Sequence, residues 1–209
     1  MDNLTTLTVD EFLTRTAART PTPGGGTVTG VAGALSCALA RMVAEYSISK
    51  KTDDPTRQSL NALIERLSQS QRMLRELINE DARAYQTMTD AAKAARAPDA
   101  SPDTGRTFQS AVLTAAAIPL QMAAVAADVL TTLDHHKTQL SRYLISDLGV
   151  AAALAEVVVR CARYTVWANL PELTDEASQG KLRSDAEAVV AHAASAYMSI
   201  HRFVQQAFA

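Results

Sequence analysis

The chain is poor in the features that mark several common protein classes. Its 209 residues include two cysteines, Cys37 and Cys161. Both sit in apolar helical context and read as reduced core thiols rather than a disulfide framework. No charge of one sign dominates: 20 Lys and Arg face 22 Asp and Glu, a net charge of −2. That balance offers no basic surface for nucleic acid. The most apolar windows carry Arg41, Asp128 or Glu156, so no membrane span is expected. Met1 to Asp10 is polar and mildly acidic, unlike a signal peptide, and the expected compartment is the cytoplasm. No segment alternates with period two over a strand length, and no internal repeat is visible. His135-His136 has no further Cys, His or Glu at ligand spacing, so no metal is expected and a solvated turn is.

What remains is helical. With 47% hydrophobic residues the chain can bury a core. The expectation is an all-α fold, a single-domain bundle over 1–209 with about six helices, one of them long. Thr8 and Glu11 fit a capping box before a short helix to about Ala18. Asp54-Pro55 opens the long helix, with Asp54 as cap. No Gly or Pro occurs from Thr56 to Ala97, and Pro98 ends it. A fourth helix is expected from about Thr107 to Leu133. Pro119 interrupts it and frees a carbonyl near Ala115. Ser146-Asp147 reads as the cap of a fifth helix reaching Asn169. Its body, Val150 to Val159, is apolar on all sides, which marks it as central. The last helix runs from about Lys181 to Ala207, after a turn or helix start at Thr174-Asp175.

Two stretches stand out. The first is Thr20 to Lys51, where Pro21 and Pro23 hold an extended approach to Gly24, Gly25 and Gly26. This is not a phosphate-binding loop of the Walker type, because no lysine follows until Lys50. A helix is expected from about Thr27, and its unpartnered first N–H groups suit a carboxylate or phosphate. Gly30 and Gly33 inside that helix imply close approach of another helix or of a flat ligand.

The second is the long helix. Leu60, Leu63, Leu67, Ser70, Leu74, Leu77, Asp81, Ala84 and Met88 form a heptad-like stripe. Asp81 is the wrong residue for a core. An isolated buried carboxylate is unfavourable by several kcal/mol or takes up a proton. It therefore has a strong donor, faces a pocket, or is exposed.

These blocks resemble the cyclodeaminase/cyclohydrolase family, the C-terminal domain type of formiminotransferase-cyclodeaminase, found alone as bacterial methenyltetrahydrofolate cyclohydrolase. The likeness is carried by Pro23-Gly-Gly-Gly-Thr27, Asp81-Ala-Arg-Ala-Tyr85, Ala117-Ile-Pro119-Leu120, and Ser146-Asp147 running on to Asn169-Leu170 and Thr174-Asp175. The chain departs from the pattern at Ser49, Cys161 and Thr165. The resemblance implies a helical homodimer acting on a tetrahydrofolate derivative, with no metal and no cofactor beyond that substrate. It implies hydrolysis of 5,10-methenyltetrahydrofolate to 10-formyltetrahydrofolate, with formimidoyltetrahydrofolate cyclodeaminase as the alternative. A non-catalytic folate-binding dimer is the third reading.

Both reactions pass through a tetrahedral carbon between two nitrogens and need a positioned acid/base. Asp81 is the expected acid/base, and Asp147 is a second catalytic candidate or a helix cap. Pro23, Gly24, Gly25, Gly26, Lys50, Lys51, Asn169 and Asp175 are the candidate substrate-binding residues. Lys50 and Lys51 would meet the anionic glutamate tail or simply end a helix. Asn169 would bond the pterin or finish its own helix. Asp147 and Asn169 lie roughly 33 Å apart along one helix, so they cannot share one monomer site.

Overall fold

A computed structural model describes residues 3–209. Among these residues there is no strand, and there are six α-helices: α1 Val9–Ala17, α2 Gly25–Ser47, α3 Asp54–Ala95, α4 Pro102–His136, α5 Ile145–Asn169 and α6 Glu176–Gln206; α2 to α6 pack together as the bundle, and α1 buries none of its residues.

The caps explain the boundaries. Thr8 accepts from the Glu11 amide at 3.2 Å, while Glu11 accepts from the Thr8 amide at 2.9 Å, so the capping box holds α1. In α3 the cap is Asp53 rather than Asp54, its carboxylate accepting from the Thr56 amide at 2.9 Å. A proline is harmless anywhere in a first turn, where N–H groups lack partners, so Pro55 did not fix the register. For the same reason α4 starts at Pro102, five residues before the expected Thr107. It also runs on through His135 and His136, so the histidine pair ends a helix instead of forming a turn. Ser146 and Asp147 do not cap α5. A short turn over Arg142–Leu144 leads straight into it, and Leu144 offers no side-chain cap.

The stripe along α3 is the spine of the core. Leu60, Leu63, Leu67 and Leu74 are all at most 1% exposed. Against this stripe α2 lies unusually close. A Cβ on Gly30 would sit 2.6 Å from Ile78 Cγ1, and one on Gly33 would sit 3.0 Å from Leu74 Cδ1. The helix interior therefore tolerates glycine because another helix occupies the space. Gly30→Ala gains about 1 kcal/mol of helix propensity but overpacks the contact, which loses roughly 1–3 kcal/mol. The expected net result is a melting temperature lower by roughly 2–6 °C, read by thermal unfolding. A rise would mean that α2 and α3 part easily.

Both α2 and α4 are long and apolar enough to cross a membrane by length and composition, but 50% and 61% of those windows are buried inside the bundle. Cys37 is fully buried, and burial pushes its thiol up to about 12, as befits an inert core thiol. Cys161 is free and only half-buried.

One expectation changes in α5. Its core side is packed, but Val150, Val157 and Tyr164 are exposed. They recur every seven residues, so they form one outward stripe. The helix is central only if something covers that stripe.

Candidate functional site

A cleft of about 950 Å³ opens where the start of α2, the second half of α3 and the end of α5 meet. Gly24, Gly25, Gly26, Asp81 and Asn169 all line it. Pro23 is buried beside it, between the lining residues Thr22 and Gly24. The other candidates lie elsewhere. Lys50 and Lys51 are exposed beyond the far end of α2, and Asp147 is in the first turn of α5. Asp175 caps α6, accepting from the Ser178 amide at 3.0 Å. Its side-chain and backbone bonds to Ser178 hold its carboxyl below the ordinary range.

Asp81 is half-buried and forms no ion pair among the described residues. Thr27, itself fully buried, donates its hydroxyl to Asp81 Oδ2 at 3.1 Å. Burial raises the Asp81 pKa above its ordinary 3.8, and the hydroxyl and amide of Thr27 offset only part of that rise. The carboxyl thus takes the unfilled first turn of α2 as its partner. Gly24 supplies no side-chain cap there, and the dipole end favours a negative charge.

Gly26 is what lets the carboxyl in. A Cβ there would stand 2.2 Å from Asp81 Oδ1 and 2.6 Å from Cγ. None of the glycines has positive φ, so the triple glycine serves space and not an unusual backbone. Gly25 has nothing within 4 Å of where its Cβ would be, which leaves the helix start open to the cleft.

Several lining residues were not among the candidate site residues of the sequence reading. Tyr85, Met88, Thr89, Lys93 and Arg96 continue the face of α3 that begins at Asp81. Counting forward by three and four residues from Asp81 would have found them. Lys93 and Arg96 are exposed, each paired loosely at 3.6 Å, with Asp90 and Glu172. Such surface pairs are weak, so both cations are available to an anion. Tyr164 and Thr165 come from α5, and Phe108 from α4. Thr165, one of the departures from the family pattern, lies in the cleft wall, whereas Ser49 does not.

No group of three or more His, Cys, Asp or Glu suited to a metal occurs among the described residues. The chemical equipment is a poorly solvated carboxyl, an open helix start, aromatic faces and two cations.

Fold and cleft together define a helical bundle with a poorly solvated carboxyl, Asp81, in the wall of its cleft. A family model for formiminotransferase-cyclodeaminase matches residues 8–188, and the chain belongs to that family. It is similar to the methenyltetrahydrofolate cyclohydrolase of Methylorubrum extorquens, at 29% identity over 95% of this chain and 96% of that one. It is also similar to the formimidoyltransferase-cyclodeaminase of Mus musculus, at 30% identity over 81% of this chain but 32% of that longer protein. Among solved structures, the formiminotetrahydrofolate cyclodeaminase of Thermotoga maritima matches with a TM-score of 0.88 at 27% identity. That match covers 97% of this chain and 98% of the other.

Proposed function

We propose that the chain hydrolyses 5,10-methenyltetrahydrofolate to 10-formyltetrahydrofolate, with Asp81 as the acid/base and no metal. The observation that carries this is a carboxyl with a raised pKa at the wall of a cleft large enough for a folate. Similarity over nearly the full length of a methenyltetrahydrofolate cyclohydrolase supports the choice of reaction.

In this reading the Asp81 carboxylate takes a proton from water as the oxygen attacks the methenyl carbon. The resulting tetrahedral carbon carries the new hydroxyl and both nitrogens. Asp81 then delivers the proton to N5 as the carbon–N5 bond breaks, and the hydroxyl loses its proton to solvent as the formyl group forms on N10. A raised pKa serves both halves, because the group must hold a proton between them. Tyr85, Tyr164 and Phe108 offer faces to the aromatic parts of the substrate. Gly24, Gly25 and Gly26 give the backbone wall, with Pro23 fixing its approach. Lys93 and Arg96 suit the carboxylates of the tail better than Lys50 and Lys51, which lie outside the cleft.

The alternative is ring closure of a formimino group with loss of ammonia, favoured by the likeness to the Thermotoga maritima cyclodeaminase. One experiment separates the two. Loss of the near-ultraviolet band of methenyltetrahydrofolate above the spontaneous rate supports hydrolysis, and ammonia release from the formimino substrate supports the alternative. Folate binding with neither reaction would leave a non-catalytic binder and end the proposal.

The proposed assembly is a homodimer in the cytoplasm. Its support is the outward stripe of α5, which continues on α2 as Val28, Leu35 and Tyr46, also exposed. The two helices lie side by side, Ser36 Oγ donating to the Ala151 carbonyl at 2.7 Å. A two-helix apolar face of this extent is unusual on a lone molecule. Pairing α5 antiparallel across a two-fold axis carries the start of one helix toward the end of the other. Leu35→Glu is expected to shift the protein to a monomer, with apparent affinity between subunits down at least about 100-fold, measured by sedimentation. An unchanged dimer would move the interface elsewhere.

A further inference from the structure

Pro119 is buried in the middle of α4 and has no N–H, so the Ala115 carbonyl one turn earlier lacks its helical partner. The structure supplies another. Asn169 Nδ2, at the end of α5, donates to the Ala115 oxygen at 3.4 Å and to the Thr165 oxygen at 2.9 Å. Both acceptors are backbone carbonyls, so only the NH₂ side of the amide can face them. That fixes the flip of the side chain. Asn169 Oδ1 is left without a donor among the described residues, and it is not a buried atom. Ala115, Thr165 and Asn169 all line the cleft that holds Asp81.

We infer that Pro119 is a positioning residue for ligand recognition: by freeing the Ala115 carbonyl it locks the Asn169 amide with its oxygen toward the cleft, as an acceptor for a heterocycle edge bearing N–H groups. The inference rests on the folate reading, in which the pterin ring N–H and exocyclic amine form that edge. With an N–H restored at position 119, the Ala115 carbonyl closes its helical bond. The amide is then held by the Thr165 contact alone, and breaking that single bond lets it turn its NH₂ toward the ligand, where it repels another donor.

The test is a double-mutant cycle with two probes, tetrahydrofolate and its 2-desamino analogue, alongside turnover of methenyltetrahydrofolate. The wild type should prefer the amino-bearing probe by about tenfold, the worth of one well-made hydrogen bond. Pro119→Ala should lose most of that preference and raise KM about fivefold to tenfold, with kcat changed less than about twofold. A purely structural role would not produce that split. Alanine is the better helix former, so the variant should melt no lower than the wild type. Asn169→Ala, which leaves α4 untouched, should erase the preference by itself. The double variant should be no worse than Asn169→Ala alone, since both act through one contact. Retained preference in either single variant, or additive losses in the double, overturns the inference while leaving the folate reading intact. A wild type that binds neither probe overturns both.

Discussion

Asp81→Asn is expected to lower turnover by about 10²–10⁴-fold and, at neutral pH, to raise the melting temperature. The two effects share one cause. Burial disfavours the charged form of Asp81 and raises its pKa, and the Thr27 bonds compensate only in part. The folded protein therefore binds this proton more tightly than the unfolded chain does. Between the ordinary carboxylate value and the raised one, the native state carries the larger number of protons, so stability falls as pH rises through that window. The group's contribution is fully present below the ordinary value and lost above the raised one. Asparagine has no charge to desolvate and escapes the loss. The gap in melting temperature between variant and wild type should thus open as pH rises and close at low pH. Thermal scans across pH, paired with the absorbance assay, check both halves. An active Asp81→Asn protein removes the carboxyl from the mechanism. A variant that melts lower at every pH would mean that the Thr27 contacts, and not desolvation, dominate.

Gly26→Ala is expected to reduce activity by about 10²-fold or more without unfolding the protein. The added methyl would overlap the Asp81 carboxyl, standing 2.2 Å from Oδ1. The side chain has room on its cleft side, so the carboxyl moves and leaves Thr27 behind. Displacement of an acid/base by about 1 Å is enough for a loss of that order. Circular dichroism should be unchanged, because alanine suits a helix better than glycine does. In an Asp81→Asn background the same substitution should bring little further loss, since both act on one group. Wild-type rates in Gly26→Ala would show that the carboxyl need not sit where it does.

Much of the architecture can be read directly from the chain. The stripe from Leu60 to Met88 is a pattern of spacing, and spacing survives folding. Gly30 and Gly33 announced a close approach, of another helix or of a flat ligand, and the structure puts α3 there. Pro119 named its own consequence, since a missing N–H always orphans a carbonyl four residues back. The exact caps were harder. Adjacent Asp53 and Asp54 are equally good caps, and Pro55 tolerates either register. The start of α4 was hidden by Gly105, which looks like loop composition yet sits harmlessly in a helix. The cleft was legible only in part. Asp81 stood out because it breaks an apolar pattern, whereas Lys93 and Arg96 look like any solvated helix end. Only the folded arrangement turns that end toward the glycine turn and the last residues of α5. The exposed stripe of α5 was missed for the opposite reason: an all-apolar helix shows no preferred side.

The longest wall of the cleft is a single uninterrupted rod. Asp81 lies on α3 and Arg96 caps its C-terminus fifteen positions on, which sets them roughly 22 Å apart along its axis. With neither glycine nor proline between them, that separation behaves as a fixed gauge. If Asp81 meets the reacting ring and Arg96 the tail, as proposed, a ligand with a shorter or longer stem gives up one grip or the other. In the folate reading, discrimination among tail lengths comes from a measuring stick rather than from a closing flap.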